Sequence, residues 1–355
     1  MRRSIGRPLT LLLAFLSLPA LAAEGRIPIA GPPPVVIGAA GKYIVTRNIF
    51  TAAGPIIDVT VGDVDIDLNG MMLNSTSVAD PVIRAVAAGV AGLTIHNGTI
   101  IGGKNAVEVN ARSHVSIEDI KWRGIVGSSE GILLIGATDF AVRRCQLTAA
   151  GLDAIRVDGF GGGGPPVTGT IERNIIESSA SGITVLHGSA VGIIHNRIES
   201  ITVAHGILLD TSSGCLIAEN TIQDIRIDGI HITALFPRST GNKLLDNVIH
   251  RTNNNGIYLS PSAWLSLLLN NVVTLCSANG IFIDGAANNL EGNTLGGNTI
   301  FGLYFSPGSF DNVYRRNMAR TDGGGFCAGF PATSDICDEG SGNSSPGDNL
   351  VPFLL

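Results

Sequence analysis

Four side chains able to move protons, His205, Asp228, His231 and Tyr258, occur in one part of this 355-residue chain. His231 could serve as base, Tyr258 as acid, and Asp228 as the partner that orients His205. Together these are the groups that proton abstraction from the carbon beside a sugar carboxylate requires. That chemistry also needs a cation for the carboxylate, for which Arg156 and Arg238 are the candidates. His205 and Asp228 are 23 positions apart, and His231 and Tyr258 are 27 apart. Only a fold that brings the chain back to one place at that interval can make such residues neighbours.

The sequence carries that interval throughout. EGILL (130–134), DAIRV (153–157), SGITV (181–185), HGILL (205–209), DGIHI (228–232), NGIYL (255–259), NGIFI (279–283) and FGLYF (301–305) share a small second residue. Those residues are spaced by 23, 28, 24, 23, 27, 24 and 22. A second phrase interleaves with the first, placing Asn at 174, 196, 220, 247, 271, 293 and 317, at steps of 22, 24, 27, 24, 22 and 24. This periodicity predicts an all-β, single-stranded right-handed parallel β-helix, each coil pairing with the next. Within a phrase, alternation sends the two apolar residues inward and the variable residue outward. Asn at the same turn of successive coils would stack amides about 4.8 Å apart and satisfy turn backbone. Leucine-rich repeats have a similar period, but their LxxLxL phrase is missing.

The outward column then reads Leu133, Arg156, Thr184, Leu208, His231, Tyr258, Phe282 and Tyr304. Aromatic rings at one-coil spacing suit the apolar faces of pyranoses, and they also suit plain cross-strand packing. Longer coils at 160–167 and 235–242, with Trp264 at the same edge, suggest a groove walled by Phe236, Arg238 and Trp264 and floored by the column. Arg156 lies three coils from His231, about 14 Å by strand spacing, which fits a neighbouring sugar subsite. Asp158 and Asp210 share another column about 9.6 Å apart, a separation open to inverting hydrolysis but also natural for turn formers.

Composition sets limits. Net charge is −6 without a long basic tract, which excludes nucleic acid as an expected partner and makes a bare polyanion an awkward one. Residues 1–22 read as an export signal, with Arg2, Arg3 and Arg7 ahead of an apolar run and a small-residue cleavage site. No later run approaches the roughly 18 apolar residues of a membrane span. The chain is therefore expected to be secreted or periplasmic, and a monomer. The expected layout is a capping segment at 23–50, the β-helix at 51–320 and an irregular tail at 321–355. Of five Cys, Cys327 and Cys337 lie in that Gly-rich tail and are expected to pair; Cys145, Cys215 and Cys276 sit in apolar strands as buried thiols.

GKYIVTRNI (41–49), VDIDLNG (64–70), HNGTIIGG (96–103) and the repeated GI and N-x-I phrases together resemble the bacterial exported right-handed parallel β-helix repeat proteins, relatives in fold of pectate lyases and alginate C5-epimerases. The likeness covers roughly residues 36–320 and implies the fold; the superfold hosts many activities. HGILLD (205–210) is similar to the GHG element of polygalacturonases, but no NTD or paired DD motif accompanies it.

No cofactor is expected, with calcium as the alternative. Asp63, Asp65, Asp67 and Asn69 alternate on what reads as one strand face, while an EF-hand loop would need Gly and Glu where Leu68 and Asn74 stand. The expected partner is an extended polysaccharide or surface glycan, recognised through His231, Tyr258, His205 and Asp228 with Arg156, Arg238, Trp264, Phe282 and Tyr304. Lyase or epimerase chemistry is the leading enzymatic version, ahead of glycoside hydrolysis. The alternative is a non-catalytic envelope or cell-surface protein that uses the rod as a spacer or adhesive face.

Overall fold

A chain of short apolar phrases separated by Gly, Asn and Asp cannot hold long helices, and it satisfies its backbone by pairing each phrase with the next copy. The computed structural model describes residues 25–86, 91–110, 113–159, 166–234, 237–320, 322–323, 327 and 335–350. The segment read as an export signal lies outside them, as do Phe236 and most of the loop at 160–167. Among the described residues every element is a strand, and the named strand pairings are parallel. No helix in them is long and apolar enough to cross a membrane.

The strands wind into a right-handed β-helix. One face is a 13-stranded sheet; the rest of the wall is a 23-stranded sheet to which most coils contribute two strands. A representative coil runs along Ile207–Asp210, crosses Leu216–Ala218 and Thr221–Ile225, and returns at Ile230–Thr233. In the 13-stranded sheet, Ile207, Ile230, Ile257, Ile281 and Leu303 stand in register and are fully buried. Each such side chain contributes about 1.5–3 kcal/mol by leaving water, so the core is a continuous aliphatic column.

The small second residue of each phrase is fixed by contact between coils. A Cβ added to Gly206 would lie 2.6 Å from the carbonyl oxygen of Gly229, and one on Gly229 would lie 2.6 Å from that of Gly256. Neither backbone can retreat without opening the sheet, so a methyl group does not fit.

The Asn column turns the corner between the two strands of the larger sheet. Asn220 Oδ1 accepts from the Asn196 backbone N–H at 2.9 Å and from its Nδ2 at 3.0 Å, while Asn220 Nδ2 donates to the Ile193 carbonyl at 2.8 Å. The same pattern links Asn174 through Asn317 and ends on Asn349. Before these amides, Arg173, His195, Glu219, Asp246, Asn270 and Arg316 take left-handed backbone with φ between 52° and 57°. This is a conformation that the following side-chain bonds must hold in place.

Parallel pairing extends beyond the expected limits of 51 and 320. Ile27–Ile29 pairs with Gly41–Val45, and Ile336–Asp338 pairs with Leu303–Phe305. The segment expected to be an irregular tail therefore carries another rung, tied by Asn343, Asn349 and the Cys327–Cys337 disulfide, whose Cα atoms are 5.7 Å apart. Cys145, Cys215 and Cys276 are free and buried, and burial pushes their thiols up to about 12, 11 and 11.

Candidate functional site

Register puts the outward residues of the 13-stranded sheet in one line: Arg156, Thr184, Leu208, His231, Tyr258, Phe282 and Tyr304. The line does not begin outward, because Leu133 and Thr184 are covered and the Thr184 hydroxyl donates to Asp153 at 2.6 Å.

From His205 onward the rings form a continuous row, edge-on at His205–His231, tilted at His231–Tyr258 and Phe282–Tyr304, and stacked at Tyr258–Phe282. Centroids lie 4.5 Å apart for His205 and His231, 4.8 Å for His231 and Tyr258, 4.9 Å for Tyr258 and Phe282, and 5.1 Å for Phe282 and Tyr304. Phe301 closes the row at 5.3 Å from Tyr304. His205 belongs to the column before the small residue, yet its ring swings into the row beside His231.

Asp228 joins the two histidines. Its Oδ2 is 3.4 Å from His205 Nδ1 and 3.3 Å from His231 Nδ1, and His231 Nδ1 is 3.3 Å from His205 Nε2. Its Oδ1 accepts from Asn254 Nδ2 at 2.8 Å, from the Asn255 backbone N–H at 3.0 Å and from Asn255 Nδ2 at 3.2 Å. Burial alone would raise the Asp228 carboxyl, but the hydrogen bonds and charges of His205 and His231 outweigh it and hold the group far below the usual carboxylate range. Asp228 thus stays ionised, buried, and aimed by three donors on its other oxygen.

Tyr258, the next ring, has no hydrogen-bond partner for its hydroxyl among the described residues. Burial first, then Asp284 and Asp228, raise its pKa, so it presents a protonated phenol at neutral pH. The Tyr304 hydroxyl is occupied: it donates to Glu339 at 2.8 Å, and burial with that carboxylate pushes it up to about 12.

Neither arginine reaches the histidines through an ion pair among the described residues. Arg156 holds Asp158 at 3.1 Å and Asp153 at 3.6 Å, three strands from His231. Arg238 lies 3.4 Å above the Trp264 ring. Trp264 in turn meets Phe310 edge-on at 5.2 Å, so Arg238, Trp264 and Phe310 form a separate ridge. Phe236, expected in the same wall, lies outside the described residues. Asp158 and Asp210 do share a column, with Leu186 between them; Asp158 faces Arg156, and Asp210 accepts from Thr211 at 2.9 Å.

The residues just before the small second position of each phrase are covered: Asp153, Asp228, Asn255 and Asn279 are buried. The reason is visible at Asp228 and Asn255, whose side-chain oxygens accept the backbone N–H one coil later. The alternating acidic row is also shorter than its spacing implies. Strand Val64–Asp67 includes only Asp65 and Asp67, while Asp63 and Asn69 turn away with φ of 53°. His96 lies 3.0 Å from Asp65, and Arg26 pairs with Asp67, so both carboxylates already have side-chain partners.

Sequence reasoning missed Asn254, Phe310 and Glu339. Asn254 directly precedes the repeated phrase NGIYL and was the most findable of the three. The other two become relevant only through partners in other coils, Tyr304 on the adjacent rung for Glu339 and Trp264 two rungs away for Phe310.

These features define a right-handed parallel β-helix bearing one outward aromatic row that ends on two partly exposed histidines joined by the buried Asp228. Residues 130–300 match the family model of the right-handed β-helix region. No curated protein matches this sequence. Among solved structures, the chain is similar to the A-module of the Azotobacter vinelandii mannuronan C-5 epimerase AlgE4, with a TM-score of 0.61 and 13% identity over 88% of this chain and 91% of that one. It is also similar to a variant of the periplasmic alginate epimerase AlgG, with a TM-score of 0.57 and 15% identity over 87% and 79%. A third likeness is to the DFA-IIIase of Arthrobacter chlorophenolicus A6, with a TM-score of 0.57 and 10% identity over 76% and 83%. At such identities the likeness is one of fold.

Proposed function

We propose that this protein is exported, acts as a monomer, and recognises an extended uronate-containing polysaccharide along the outer face of its 13-stranded sheet, where it abstracts a proton beside a sugar carboxylate. The observation that carries this reading is the uninterrupted row from His205 to Tyr304. It offers a strip of half-buried ring edges long enough for several sugar rings and ends on two imidazoles and a phenol with no hydrogen-bond partner among the described residues. His231 is the base, Tyr258 the acid, and Asp228 keeps both imidazoles oriented. Arg238 and Trp264 form a second contact ridge, and Arg156 a more distant subsite.

Two of the structural neighbours are described as alginate epimerases, one of them periplasmic, which supports an acidic glycan and a location outside the cytoplasm. A disulfide fits the same compartment. Residues 1–22 are proposed to be removed on export. The competing reading, a non-catalytic spacer or adhesin, draws on the ion pairs that occupy Arg156.

Affinity electrophoresis in gels containing alginate, polygalacturonate or a neutral glucan separates the two. The proposal expects retardation by a uronate polymer and a roughly five- to tenfold loss of affinity in Phe282→Ala, the worth of one stacking contact. Equal migration in every gel would leave the adhesin reading without a glycan and remove the support for this one.

A further inference from the structure

The row of rings leads to three donor atoms whose arrangement goes beyond hydrogen bonding. We infer that His205, Asp228 and His231 form a binding site for a divalent ion of the zinc type.

The first argument is distance. Bonds of about 2.0–2.1 Å at tetrahedral angles put ligand atoms about 3.3–3.4 Å apart. His231 Nδ1 is 3.3 Å from Asp228 Oδ2 and 3.3 Å from His205 Nε2, and one donor atom from each of the three residues lies within 4.8 Å of the others. These separations are long for N–H donors facing oxygen or nitrogen, and they match the edges of a coordination tetrahedron. Small rotations of the two imidazoles close the remaining edge.

The second argument is preorganisation. Asp228 is buried, and three donors from Asn254 and Asn255 hold its Oδ1, which leaves Oδ2 as the atom facing the histidines. The Asp228 backbone N–H donates to His205 Nδ1 at 3.4 Å, which holds the ring with Nε2 turned toward His231. Two neutral imidazole nitrogens and one carboxylate oxygen are a donor set suited to zinc and its neighbours, whereas calcium prefers six to eight oxygens.

The third argument is access and charge. His205 and His231 keep 14% and 17% of their side-chain surface while Asp228 keeps 2%, so the ion would sit on the outer side with a coordination position open to solvent. There it would bring to an acidic ligand the positive charge that Arg156 and Arg238 spend on Asp153, Asp158 and Trp264. An ion on His231 Nδ1 makes that residue a ligand, so the loaded site and the His231 base of the proposed function are alternative states of the same residues. The inference uses the residues of the proposed function without depending on a glycan.

The test uses the full mature chain, purified without a histidine tag, stripped with a chelator and dialysed. Zinc is titrated against a chromophoric chelator with no sugar present. One equivalent per chain should bind, and His205→Ala and His231→Ala should each weaken it at least 100-fold, while His96→Ala leaves it unchanged; circular dichroism reports folding. X-ray absorption of the zinc-loaded wild type should show scattering from two imidazoles, which decides the matter even where a variant fails to fold. Absence of stoichiometric binding, binding that survives both alanine variants, or a spectrum without imidazole scattering would overturn the site. The glycan gels give an independent result, so either reading can fail alone.

Discussion

At the scale of single residues, the folded chain spends stability on placing charges. Asp322 shows this outside the candidate site. It stands where other coils have Asn: the Asn298 backbone N–H and Nδ2 donate to its Oδ1 at 2.7 and 2.9 Å. Its Oδ2 is buried without a partner among the described residues, and burial pushes the carboxyl up to about 6. A carboxyl whose folded pKa exceeds its unfolded value of about 3.9 binds more protons when folded, so this stabilising term is present below about pH 4 and is lost as pH rises through 6. Asp322→Asn should restore the amide ladder, raise stability at pH 7.5 by roughly 1 kcal/mol, and flatten the change in melting temperature between pH 4 and 7. Thermal melts across that range check it, and an unchanged pH profile would contradict the assignment. Asp228 is the opposite case, a buried carboxylate that its neighbours keep ionised.

At the scale of the element, the unit of stability is the turn. Asn220 is buried, with its Oδ1 accepting from Asn196 and its Nδ2 donating to Ile193 and Asn247. Asn220→Ala leaves several of these groups unpaired and should cost roughly 2–4 kcal/mol, read as a lower urea midpoint at unchanged slope. How much could be seen in advance follows from the same units. The GI phrases showed the strands and their facing, because a period-2 pattern repeated every two dozen residues allows few other foldings. The Asn column showed the turn. Side-chain choices between coils were not visible: whether Asp228 caps Asn255 or faces solvent, whether Arg156 reaches outward or holds Asp153 and Asp158, and whether Arg238 meets a substrate or Trp264. Those depend on rotamers and loop paths that leave no period in the sequence.

At the scale of the whole molecule, the protein is a rod in which each coil contacts its neighbours, so stability is nearly additive along it and the ends open first. Among the described residues, Ile336–Asp338 pairs with one strand of its sheet, Leu303–Phe305. The Cys327–Cys337 link, with a sequence separation of 10, closes a loop worth about 3 kcal/mol in the chain-entropy account. Reduction should therefore raise amide exchange at Leu303–Phe305 while the coils around Ile207 and Ile230 keep their protection. Uniform loosening along the rod would contradict this picture of local coupling.

The central claim is that the end of the aromatic row is a place of chemistry on an acidic polysaccharide. Its most direct measurement is to incubate the mature protein, metal-free and zinc-loaded, with uronate-containing and neutral polymers, reading unsaturated products by ultraviolet absorbance and epimerised residues by NMR. The account predicts product from at least one uronate polymer and a fall of about 10² or more in rate for Tyr258→Phe, with the variant still bound by the polymer gel. A wild-type protein that binds the polymer but yields neither product, or a Tyr258→Phe variant as active as wild type, would contradict it.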